Sequence, residues 1–125
     1  MTETGTMQLR PAILVVEDNP IIALDLSESL SELGFQVLGP FATVAAARRA
    51  LSLTAPDHAC LDLNAADELA FALARDLVAA GVRTTFLTGQ GELARMSGIE
   101  GVAVLDKPIS AMGLRAHFGP YVEVG

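Results

Sequence analysis

Short apolar runs along this chain alternate with longer segments whose apolar residues recur every three or four positions. Ile13-Leu14-Val15-Val16 is continuous, the pattern of a strand buried on both faces of a parallel sheet. Glu17-Asp18-Asn19-Pro20 ends it; Asn19 suits a helix N-cap and Pro20 the first helical position. Ile22, Leu26, Leu30 and Leu33 then share one helical face, and Gly34 is the natural stop. Residues 35–38 predict a second strand, broken at Gly39-Pro40. Thr43 caps a predicted helix running to about Leu53, with Val44, Ala47 and Leu51 inward. After the Pro56-Asp57 turn, residues 58–61 predict a third strand. A helix over residues 67–80 follows, with Leu69, Leu73 and Leu77 on one stripe and Gly81 at its end. Residues 83–87 form the fourth strand; the loop after it holds Gly89 and Gly91 and leaves room for only a short helix over 92–96. Residues 102–105 form the fifth strand, Asp106-Lys107-Pro108 stops it, and Ser110 caps a last helix to about Phe118.

Strands that alternate with helices in this way predict an α/β domain, a parallel sheet covered on both faces. Residues 11–119 form that domain, with a loose N-terminal tail over 1–10 and a short C-terminal tail over 120–125. At 125 residues the chain is long enough for one self-sufficient core. Its single cysteine, Cys60, excludes an internal disulfide framework and sits where a small apolar filler belongs. The balance of 8 basic against 15 acidic residues argues against a nucleic-acid surface. No apolar run approaches the roughly 20 residues of a membrane span, and the start lacks the pattern of a signal peptide, so the cytoplasm is the expected location.

The few charges gather where such a fold places a site. Ligands of open parallel sheets bind beyond the carboxyl ends of the strands. There the first strand delivers Glu17 and Asp18, the third Asp62, the fourth Thr88 and the fifth Asp106 and Lys107. Clustered carboxylates need a cation, and oxygen ligands at a wet surface suit Mg²⁺. Asp62 can supply a nucleophilic carboxylate oxygen for phosphoryl transfer, with Lys107 and Thr88 placed to meet the oxygens of the transferring group.

Four segments in order, ILVVEDNP, CLDLN, FLTG and LDKP, each at the end of a predicted strand, give the chain a clear resemblance. Over about residues 11–118 it resembles the receiver domain of two-component response regulators. The resemblance implies a flavodoxin-like (βα)5 doubly wound fold with strand order 2-1-3-4-5. It implies Asp62 as phosphoacceptor, Asp18 as direct Mg²⁺ ligand, Glu17 as its acidic neighbour and Asn64 as the donor of a backbone carbonyl to the metal. It further implies Thr88 as switch hydroxyl, Lys107 as partner of the phosphoryl oxygens, and Gly89 as the small residue that leaves them room. Asn64 and Gln90 match positions that tune acyl-phosphate hydrolysis. The implied partners are a histidine kinase or histidine phosphotransfer protein and a downstream protein, without nucleic acid or membrane, the domain being a monomer or weak dimer.

Three positions depart from the family pattern. Val104 stands where receivers carry an aromatic switch residue, the loop after Asn64 reads Ala65-Ala66-Asp67 without the usual Pro and Gly, and the fourth helix is short. In these respects the chain resembles an alphaproteobacterial subgroup of receivers. A receiver-like interaction module that is not phosphorylated is the alternative. A haloacid-dehalogenase-type phosphohydrolase fits less well, because Asn64 stands where its second acid belongs and the chain has no room for a substrate cap. His58, His117 and the phenylalanines Phe35, Phe71, Phe86 and Phe118 read as structural.

Overall fold

The computed structural model describes residues 10–122, so the sequence readings for residues 1–9 and 123–125 lie outside the described residues. Five strands alternate with five helices: β1 (Ala12–Val16), α1 (Pro20–Leu33), β2 (Gln36–Phe41), α2 (Val44–Leu51), β3 (His58–Leu61), α3 (Phe71–Ala79), β4 (Arg83–Thr88), α4 (Gly91–Met96), β5 (Val102–Asp106) and α5 (Ala111–Phe118). The strands are all parallel, in the order β2-β1-β3-β4-β5. This is the flavodoxin-like doubly wound fold, and the chain changes direction across the sheet between β1 and β3.

Each face of the sheet carries its own core. Leu14, Val16, Leu61 and Phe86 pack under α2, α3 and α4 with Val44, Ala47, Leu73, Leu77 and Ala94. Ile13, Val15, Cys60 and Leu87 pack under α1 and α5 with Leu26, Leu30, Leu114 and Phe118. Alternate residues of one strand serve opposite faces, which is why β1 reads as an unbroken apolar run and why β3 is buried along its whole length. Each large side chain so buried contributes roughly 1.5–3 kcal/mol.

The local signals at most helix ends hold. Asn19 accepts the amides of Ile21 and Ile22, Thr43 that of Ala46, and Ser110 that of Gly113. Gly34 closes α1 with φ 118°, a left-handed conformation open to glycine.

Four expectations need correction. β2 is not broken at Gly39-Pro40 but continues to Phe41. It is an edge strand whose register on β1 shifts between Leu14 and Val16, and at such an irregularity the missing amide of a proline costs no ladder bond. The third helix starts at Phe71 rather than Asp67. Asp67 instead accepts the amides of Val44 and Ala45 at 2.8 and 3.1 Å and so helps to cap α2, while Leu69 lies in the loop, half exposed. α2 ends at Leu51, leaving Leu53 in solvent. Ile22 lies at the rim of α1 and not inside with Leu26 and Leu30. Beyond α5, a 3₁₀ turn over Gly119–Tyr121 brings Tyr121 against His58, with ring centroids 4.9 Å apart.

Candidate phosphoacceptor site

The parallel topology brings Glu17 and Asp18 after β1, Asp62 after β3, Thr88 at the end of β4 and Lys107 after β5 to one edge of the sheet. One carboxylate oxygen from each of Glu17, Asp18 and Asp62 lies within 4.8 Å of the other two. Glu17 and Asp62 are buried, whereas Asp18 is exposed. The Lys107 ammonium reaches Glu17 Oε1 at 2.7 Å and Asp62 Oδ2 at 3.3 Å. The remaining carboxylate oxygens are held by the chain itself: the amide of Asn19 donates to Glu17 Oε2 at 3.0 Å and that of Asn64 to Asp62 Oδ1 at 3.1 Å.

Burial pushes the Glu17 carboxyl above its ordinary value, against the opposing pull of the Lys107 and Asn19 hydrogen bonds. Burial acts to lower Lys107, but the Glu17 and Asp62 carboxylates outweigh it and hold the ammonium above its ordinary value. Lys107 is therefore charged at neutral pH. One cation still faces three carboxylates. All the donors are oxygens and one is open to water, a set that fits a hydrated Mg²⁺ rather than a soft or tightly caged metal.

Thr88 is fully buried and is not drawn into this ion cluster. Its hydroxyl oxygen accepts the amide of Gln90 at 3.0 Å, and its carbonyl accepts the amide of Lys107 at 3.0 Å. A hydroxyl that accepts in this way keeps its own proton to donate. A Cβ on Gly89 would meet nothing within 4 Å, so the space beside Thr88 is open there. The structure thus joins Glu17, Asp62, Asn64 and Lys107 by direct bonds, brings Asp18 within 4.8 Å of the other two carboxylates, and places Thr88 next to Lys107 through the main chain. Sequence reading missed the Asn19 amide on Glu17, since a main-chain donor leaves no trace in residue type. Val104 is half-buried against the α2–α4 core. Cys60 is fully buried, and burial pushes its thiol up to about 12, in keeping with a packing role.

No protein-family model matches the sequence, and neither does any curated protein sequence. Solved structures do. SdrG from Sphingomonas melonis Fr1 is 31% identical, with 86% of this chain and 92% of that one covered and a TM-score of 0.72. The REC domain of the Erythrobacter litoralis PhyR response regulator is 24% identical over 89% of this chain and 88% of that one, with a TM-score of 0.80. The HemR receiver domain from Leptospira biflexa is 25% identical over 93% and 97%, with a TM-score of 0.78. The chain belongs to the receiver (REC) domains of two-component response regulators. No described helix is long and apolar enough to cross a membrane.

Proposed function

We propose that this receiver takes a phosphoryl group from a phosphohistidine onto Asp62 and signals by protein contact or drains phosphate from a relay. The observation that carries this reading is the cluster of Glu17, Asp18 and Asp62 within 4.8 Å, met by the Lys107 ammonium at a sheet edge. The amide of Asn64 orients Asp62 and leaves its carboxylate to present an oxygen to the phosphorus. That oxygen attacks in line; the O–P bond forms as the N–P bond breaks, and the electron pair returns to the imidazole nitrogen of the donor. Glu17, Asp18, Asp62 and the Asn64 carbonyl would hold a Mg²⁺ ion, which would supply positive charge against the phosphoryl oxygens. The Lys107 ammonium pairs with one of those oxygens, and the Thr88 hydroxyl donates its free proton to another. Water later cleaves the acyl phosphate and restores the carboxylate. The partner is a histidine kinase or phosphotransfer protein, which places the domain in the cytoplasm.

The test is incubation with a small phosphoryl donor and Mg²⁺, read by intact mass. One hydroxylamine-labile phosphoryl group per chain is expected, lost on chelation and in Asp62→Ala. An unlabelled wild type, where a known receiver is labelled, overturns the function; a labelled Asp62→Ala overturns the residue.

A further inference from the structure

The last residue of β5, Asp106, sits one position before Lys107 and in register with Thr88 of β4. Its carboxylate turns away from the acidic cluster: Asp106 Oδ2 accepts Arg95 Nη2, in the last turn of α4, at 2.9 Å. The start of the same helix is pressed onto the same carboxylate. Gly91 is buried there, and a Cβ on it would overlap Asp106 Oδ1 and come within 2.8 Å of Arg95 Nη1. One carboxylate therefore touches both ends of a six-residue helix that has no side-chain N-cap. So short a helix does not persist unaided. Gln90, just before Gly91, gives its amide to the Thr88 hydroxyl. Thr88, Gln90, Gly91, Arg95, Asp106 and Lys107 close a loop of covalent links and direct contacts.

We propose that Arg95 and Asp106 are positioning residues that latch α4 to the end of β5, so that the order of α4 and the placement of Thr88 and Lys107 form one equilibrium. The consequence for signalling rests on the phosphoacceptor reading above. Phosphorylation that draws the Thr88 hydroxyl toward the acyl phosphate pulls on the Gln90 amide and the first turn of α4. The ion pair is half exposed on both sides, so the latch is weak enough to open.

Amide hydrogen exchange of α4, amide chemical shifts of Thr88 and Lys107, and the rate of Asp62 labelling test this in the full chain. In Arg95→Gln the α4 amides should exchange on the order of two- to fivefold faster, the range of an exposed ion pair. The Thr88 and Lys107 shifts should move and the labelling rate should change by a similar factor. Arg95→Lys, which keeps the charge, should restore most of each effect, and high salt should drive wild type toward Arg95→Gln. Exchange unchanged in Arg95→Gln overturns the latch; faster exchange with unmoved Thr88 and Lys107 shifts overturns its coupling to the site. A wild type that takes no label removes the phosphoacceptor reading instead, while exchange and shifts still decide the latch.

Discussion

At the amino end of the sheet polar groups meet partners of matching number. Asp57 accepts the Ala12 amide at 2.9 Å, Arg48 pairs with Asp76 at 2.9 Å, and Arg83 lies 4.9 Å from the centroid of the Tyr121 ring. At the carboxyl end, a few residues along the same strands, three carboxylates gather within 4.8 Å, and the two buried ones share one ammonium. Burying charge without full compensation destabilises a fold. Among the described residues such a carboxylate cluster lies at the carboxyl end, where the proposed phosphoacceptor site is. The amino end carries the complementary task. His58 stands edge-on to Phe35 at 5.3 Å, and Phe35 is edge-on to Phe118 at 5.9 Å, an aromatic stack that closes the sheet below α1 and α5.

The contrast breaks most sharply by mutation at the amino end. Phe35→Ala should cost about 3–5 kcal/mol by chemical denaturation, since Phe35 has no exposed surface. The fraction that remains folded should still be labelled at Asp62. Lys107→Met does the reverse, slowing labelling on the order of 10²-fold while unfolding changes less, because the ammonium is a preorganised charge at the transferring group. Mg²⁺ should raise the unfolding midpoint of wild type. Asp18→Asn, if it weakens the metal about tenfold, should remove about 1.4 kcal/mol of that stabilisation. The smallest effect concerns pH. Burial, with the Arg83 guanidinium beside it, holds the His58 imidazole below its ordinary 6.5, against the opposing pull of Asp57. The unfolded chain therefore binds this proton more readily. Stability owed to neutral His58 is complete above pH 6.5 and is lost as pH falls through that value toward the lower folded pKa. Denaturation above and below that pH should show the loss. His58→Phe should flatten it in part, since burial lowers His117 as well.

Where the sequence was legible, the signal was local. Unbroken apolar β1, the caps Asn19, Thr43 and Ser110, and the stop at Gly34 each follow from a residue's own conformational and solvation preferences. Because parallel crossovers put every strand's carboxyl end on one edge, the order of those strands was enough to bring Glu17, Asp18, Asp62, Thr88 and Lys107 to it. The errors arose where a distant partner outweighed a local preference. Gly39-Pro40 looks like a break, yet edge position and a register shift let β2 pass through it. Asp67 reads as the start of its own helix, yet its carboxylate accepts the amides of Val44 and Ala45 at the start of α2.

The chain by itself determined the βα rhythm, the site residue types and the edge they share, because periodicity and strand ends are properties of consecutive residues. Only the tertiary structure decided which charges touch. Lys107 bridges Glu17 and Asp62, while its neighbour Asp106 is turned outward to Arg95 against a buried Gly91. The last residue of β5 and the one that follows it point to different partners, and those partners come from elsewhere in the chain.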